Sequence, residues 1–441
     1  MTSPTTTTTR TLTLDNIFAL DEISDAQISP DGTTIAFVAG RQYTEGERAL
    51  PAAGIWAVAA DGSAPARRLT SGPRSDTRPR WSPDGTALAF LSDRDQPDTP
   101  QVYVLPVGGG EARRLTDQKG GVSDLVWSPD GTRIAFLSAD AESDEEKQRK
   151  EARDDAVHVD HEDKFTRVWV VDVAGGAARA ITPPEYQVRA CAWYQDGWAI
   201  VTSATPHEDD GIYPWPVRAV AADGTTRTLW QGAFSIELLA GSRDGQSLAW
   251  LHGGARGEDS ADEVWVLTPG AAARCALADY AGGRAWAGWL PDGKGLLIAA
   301  VDGTRTILGR LDLESGVVAP LLVGRTLGEG FTELRASVSG DGRRVACVLE
   351  DAAQPKEVYV IEASASPAEA AGSEPKRLTT FNRHLEGVAL AEGETIEWSA
   401  PDGQTIQGVV LYPPGQEMGR TYPLIVHLHG GPGWYWLQRF M

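Results

Sequence analysis

A chain of 441 residues with 48 Gly, 27 Pro and 15 Trp is long enough to bury a large core without covalent staples, and its composition suits a turn-rich, all-β chain. A net charge of −21 excludes the clustered basic face that nucleic acid demands, and it favours solubility. Cys191, Cys275 and Cys347 are odd in number and far apart, which argues against a disulfide framework or a zinc site and for core packing.

The amino-terminal MTSPTTTTTR lacks the apolar stretch of a secretory signal, and no later run approaches the eighteen or so apolar residues of a membrane span. A cytoplasmic protein with no membrane partner is the expectation. Thr11 to Leu20 (TLTLDNIFAL) is a short amphipathic segment, either a helix docked outside the main body or a cap on its first unit. Then a phrase recurs seven times: Ser29-Pro30-Asp31-Gly32, Trp81 to Gly85, Trp127 to Gly131, Tyr194 to Gly197, Arg243 to Gly245, Pro291 to Gly293 and Gly340 to Gly342. The glycines lie 53, 46, 66, 48, 48 and 49 residues apart, the signature of a repeat architecture.

Each repeat has one internal grammar. An apolar strand such as Leu125-Val126-Trp127 leads into Asp-Gly, which supplies a tight hairpin because Gly adopts positive φ and the Asp carboxylate bonds nearby N–H groups. Alternating strands follow, such as 35–39, 88–92, 134–138, 248–252 and 345–349, then a third set at 55–58, 102–105, 168–171, 264–267 and 358–361. The unit closes on Arg67 to Thr70, Arg113 to Thr116 or Lys376 to Thr379. Four short strands per unit, repeated radially, predict a seven-bladed β-propeller; a stacked solenoid is the rival, with shorter repeats and fewer strands in each. The first repeat opens on its own inner strand (23–29) and the last ends on its own outer strand (376–380), so the ring is expected to close by packing rather than through a shared sheet.

Residues 141–155 are dense in charge and predict a solvated, helical excursion from the third repeat. The following His158-Val159-Asp160-His161-Glu162-Asp163 has residue types that ligate metals, but one cluster on a polar loop is weak ground, and a projecting loop without metal or cofactor is expected.

After Thr380 the pattern changes. Glu394 to Ser399 and Thr405 to Tyr412 predict a hairpin around Pro401-Asp402-Gly403. Tyr422 to His429 (YPLIVHLH) then reads as a continuous apolar strand buried on both faces, running into Gly430-Gly431-Pro432-Gly433.

Taken together, the WSPDG and RRLT repeats, ISDAQISPDGTTIAFV (23–38), EWSAPDGQTIQGVVLYPP (397–414) and YPLIVHLHGGP resemble the prolyl oligopeptidase family of serine peptidases, most closely its acylaminoacyl-peptidase branch. The repeats alone are shared with TolB-like propellers that do no chemistry. The resemblance implies a mainly β chain: an amino-terminal tail and helix over 1–22, a seven-bladed propeller over 23–385 and the first strands of an α/β-hydrolase domain over 386–441. It implies peptide substrates, short or N-acylated, admitted past a gating propeller. It also assigns Gly431 as a backbone oxyanion donor, with Gly430 and His429 shaping the loop. The family nucleophile, Asp and His are not carried: no GxSxG occurs, and no serine follows Ser399. The chain alone is therefore expected to be inactive, with the remainder of the hydrolase domain supplied in cis or in trans. An edge-exposing partial sheet invites homo-oligomers. The alternative is a noncatalytic propeller that binds a peptide or protein partner.

Overall fold

The computed structural model describes residues 10–41, 52–154, 163–206, 213–253, 263–278, 285–328, 334–363, 374–430 and 435–440. The repeated phrase proves to be a self-braced turn. Where a serine stands two positions before the aspartate, its hydroxyl donates to it: Ser29 to Asp31 at 2.5 Å, Ser82 to Asp84 at 2.5 Å, Ser128 to Asp130 at 2.6 Å, Ser242 to Asp244 at 2.5 Å and Ser339 to Asp341 at 2.6 Å. The same hydroxyl accepts the N–H of the residue opening the next strand, as from Arg133 at 2.9 Å, and the carboxylate accepts a backbone N–H of the turn, as from Thr132 at 3.0 Å. Gly32, Gly85, Gly131, Gly245, Gly293 and Gly342 all take positive φ. The fourth copy departs from this rule. There Gln195 carries the positive φ, at 52°, and Gly197 lies in the strand because a Cβ would stand 2.2 Å from the Val220 carbonyl oxygen.

This bracing has an acid signature. The serine hydroxyl first and the backbone N–H second hold the Asp31, Asp84, Asp130, Asp244 and Asp341 carboxyls below their ordinary range, Asp130 at about 2. A carboxyl depressed in the folded state stabilises it above the unfolded pKa, and that contribution is lost as pH falls through the folded one. The thermal midpoint should therefore hold down to about pH 5 and drop between about pH 4 and pH 2, less steeply in Ser128→Ala. A midpoint that is flat down to about pH 2.5 would contradict this account.

In four of the units the outer strand is only two residues long, as at Arg67–Arg68 and Arg113–Arg114. The threonine of the closing signature prolongs the ladder: Thr70, Thr116, Thr182 and Thr379 accept the N–H of Ile55, Val102, Val168 and Val358 through their hydroxyls. The strands assemble into five four-stranded antiparallel sheets from consecutive segments between Asp21 and Leu277, and one eight-stranded sheet from Ala285 to Arg377. The eight-stranded sheet joins two repeats because Val318–Leu327 pairs with Arg305–Asp312 and then, through Thr326 and Leu327, with Arg344–Asp351. The result is a mainly β, propeller-like fold whose apolar clusters lie between neighbouring sheets. Cys347 is buried in one of them.

The first and last repeats share no strand. Ile23, Ile28 and Phe37 pack against Ala346, Val348, Val358 and Val360. Gly340 N–H donates to the Pro30 carbonyl at 2.8 Å, Ser337 Oγ accepts from Ile28 N–H at 2.7 Å and donates to the Ala26 carbonyl at 3.0 Å, and Lys356 pairs with Glu22. The expected closure by packing is what the described residues show.

The helix at Leu14–Phe18 resolves the choice left open for the amino-terminal segment. Thr13 caps it, His384 Nε2 lies 3.0 Å from the Asn16 carbonyl oxygen, and Asn382 bonds both the N–H and the carbonyl of Asp21. It docks on the segment that follows the last repeat. A strand not foreseen, Arg10–Thr11, runs parallel to Val388–Ala389. The charged excursion is the helix Asp144–Glu151, with acids in its first turn, bases in its last and no buried residue. His158, Asp160, His161 and Glu162 lie outside the described residues. Among the described residues no helix is long and apolar enough to cross a membrane.

The tail brings one correction. The hairpin forms as expected, Glu392–Ser399 against Thr405–Tyr412. Tyr422 to His429, however, is not a buried strand: Leu424, Ile425, Val426 and Leu428 are 70–90% exposed and pair with no sheet. An apolar segment becomes a central strand only between neighbours that satisfy its backbone, and none is present among the described residues.

Candidate functional site

Inner strands of all seven repeats converge on one axial channel. A cavity of about 410 Å³ is lined by Gln27, Arg80, Val126, Trp193, Gly241, Trp289 and Ser337, among others. At the end formed by the Asp-Gly turns it widens into a second space of about 650 Å³ bordered by Asp84, Asp130, Asp244 and Asp292.

Indoles stitch the channel wall. Trp81 Nε1 donates to the Gln27 carbonyl at 2.9 Å, Trp127 to Arg80 at 2.9 Å, Trp193 to Val126 at 3.3 Å and Trp289 to Ala240 at 3.1 Å, each reaching the inner strand of the preceding repeat. The equivalent residues in the first and seventh repeats are Ile28 and Val338, so no indole clasps the seam.

At the opposite end, where the second and third strands of each unit turn, the inner strands carry a collar of charge. Register shifts interrupt them after Ser24, Thr77 and Val188, and the inserted residues include Asp25, Arg78 and Arg189. Asp25 and Arg78 are held at positive φ, 51° and 52°. Such bulges redirect side chains at a local conformational cost. Arg80 Nη1 donates to both oxygens of Asp25 at 2.9 Å, and Gln27 Nε2 to one of them at 2.8 Å. Arg78 reaches Asp124 of the third repeat at 3.3 Å. Burial pushes the Asp25 carboxyl up, but Arg80 and Arg335 more than reverse this and hold it below its usual value. It is therefore an anion at neutral pH, buried beside Arg80. The sequence reading missed this collar, although a signal was there: Asp25, Arg78, Asp124 and Arg335 each stand seven positions before their turn glycine.

The tail approaches this same end. His429 and Gly430 are described and exposed, with His429 Nδ1 3.0 Å from the Gly430 carbonyl oxygen, while Gly431 lies outside the described residues. The rings of His427 and Trp436 meet at 4.7 Å across the neck of the loop. Beyond it, Leu437 and Gln438 are buried against the sixth and seventh repeats, a contact that no local pattern in the chain signals. The described residues assemble no nucleophile, base and acid around His429.

Residues 22–157 match the TolB β-propeller domain family. The whole chain is similar to an uncharacterized peptidase, YuxL, of Bacillus subtilis (strain 168), at 27% identity over 96% of this chain and 66% of that protein. Among solved structures, the acylaminoacyl peptidase of Pyrococcus horikoshii superposes with a TM-score of 0.72 at 18% identity, covering 96% of this chain and 62% of that one. Over most of its length the chain is thus similar to these peptidases and shares their propeller fold. It spans less than two thirds of the length of either of these two relatives. The propeller domain of the Pyrococcus furiosus trilobed protease, described as having an open velcro topology, superposes with a TM-score of 0.58 at 14% identity over 82% of this chain and 99% of that one. In the present chain the described strands of the first and last repeats lie in separate sheets.

Proposed function

We propose that the chain is the gating part of a serine peptidase acting on short or N-acylated peptides. Residues 1–22 form a tail and helix, 23–385 a seven-bladed propeller, and 386–441 the opening of an α/β-hydrolase domain. Two features of the structure support this reading. One is the charged collar; the other is an exposed apolar segment, Leu424 to Leu428, that leads into His429-Gly430 and is left without sheet neighbours. Completed by further strands, that segment becomes the central strand whose following loop presents the Gly431 N–H to a tetrahedral oxyanion, with Gly430 and His429 shaping the turn. The peptide substrate reaches a nucleophile, base and acid that the rest of the hydrolase domain supplies in cis or in trans.

The chain by itself is inactive on this reading. A fluorophosphonate probe should label a longer product of the same gene and not the 441-residue chain. Acetyl-aminoacyl and dipeptidyl chromogenic substrates, assayed side by side, then fix the peptidase class. Labelling of the 441-residue chain would overturn the assignment of its missing nucleophile. Silence from both proteins would favour a noncatalytic propeller that binds peptides.

A further inference from the structure

The segment after the loop is fixed to the propeller in a way that the apolar contact alone does not require. Leu437, 3% exposed, enters the core between the sixth and seventh repeats and supplies adhesion. Gln438, 5% exposed, supplies register. Its N–H donates to the Thr304 carbonyl at 2.7 Å, its carbonyl accepts from Thr326 Oγ1 at 2.9 Å, and its side-chain Nε2 donates to Thr395 Oγ1 at 2.8 Å. Thr395 in turn lies 2.6 Å, hydroxyl to hydroxyl, from Thr304. One residue thus ties three pieces of chain: a turn of the sixth repeat, the strand that bridges it to the seventh, and the hairpin that leads into the hydrolase segment. The next residues add Arg439 Nε at 3.4 Å from one Glu350 oxygen and Phe440 N–H at 3.3 Å from the other.

A buried amide satisfied on three sides admits one arrangement, whereas an apolar plug tolerates sliding. The rings of His427 and Trp436 are in contact, and Gln438 is anchored two residues beyond Trp436. We propose that Gln438, seated on Thr304, Thr326 and Thr395, is a positioning residue through which the propeller fixes the oxyanion loop of the peptidase. This rests on the peptidase reading above. The propeller then has a second task besides gating: it sets the geometry of a catalytic loop from outside the hydrolase domain. Misplacement of such a loop by an ångström costs up to about a hundredfold in rate.

The test has two arms. In the 441-residue chain, Gln438→Ala and Thr395→Val should raise amide exchange across residues 435–440 about tenfold or more, and Thr395→Ser, which keeps the hydroxyl, should not. In the longer, hydrolase-containing protein the same two variants should lower kcat about tenfold to a hundredfold with KM changed less than about threefold, and Thr395→Ser should retain the wild-type kcat. Unchanged exchange would remove the anchor. Loosened exchange with unchanged kcat would leave an adhesive contact and overturn the positioning role. An unmodified longer protein without peptidase activity would overturn the peptidase reading itself, and the exchange arm would still decide whether the anchor exists.

Discussion

Arg80→Ala should destabilise the chain by about 3–5 kcal/mol, the cost of stranding a buried carboxylate whose ion-pair partner has been removed. Asp25 is 8% exposed, sits in a left-handed conformation and receives both short contacts from one guanidinium nitrogen. The loss comes from Asp25 rather than from the missing arginine, so neutralising the survivor should return much of it. Asn tolerates the same backbone conformation. The double variant Asp25→Asn/Arg80→Ala should therefore be more stable than Arg80→Ala alone by about 1 kcal/mol or more. Urea denaturation of the wild type and the two variants measures this, and a double variant no better than Arg80→Ala would show that the collar is not held together by charge.

Trp127→Ala should cost about 3–5 kcal/mol, since a 9% exposed indole wedged between the second and third repeats is replaced by a cavity. Trp127→Phe should keep most of the packing and lose only the hydrogen bond to the Arg80 carbonyl, about 1 kcal/mol. Arg80 takes part in both effects, through its side chain on one side and its carbonyl on the other. Trp127→Phe and Arg80→Ala should therefore couple in a double-mutant cycle by about 0.5 kcal/mol or more. Strict additivity of the two would mean that wall and collar are independent.

What could be read in advance follows the distance over which each feature is determined. The Ser-Asp-Gly turns are local: hydroxyl, carboxylate and glycine lie within four residues, and their chemistry is visible in the letters. The strands between them follow from alternation, and the four-strand unit from its repetition. The fourth turn misleads because Gly197 serves a close approach to Val220, a contact between strands rather than a turn requirement. The tryptophans were legible as apolar wedges but not as donors, because each carbonyl they reach belongs to the preceding repeat. The collar was invisible for a related reason. A bulge changes where a side chain points without changing composition, so Asp25 and Arg78 read as ordinary strand residues. YPLIVHLH was read from its apolarity, which reports what the segment needs and not whether neighbours exist to meet it. Gln438 carries no local mark at all; its role arises from Thr304, Thr326 and Thr395, which are distant in the chain.

The seam between the first and last repeats also sets an order in time. Ile28 meets Ser337 and Pro30 meets Gly340, while Arg10–Thr11 waits for Val388–Ala389. As the chain leaves the ribosome, each earlier sheet completes itself from consecutive segments, but the amino-terminal edge stays uncovered until the strands of the last repeat have been made. The ring thus closes in a single docking event, in which the first strands to emerge find those of the last repeat. During that interval the apolar faces of Ile23, Ile28 and Phe37 lack the downstream residues that will shield them, which makes the nascent chain's oldest surface its most adhesive one.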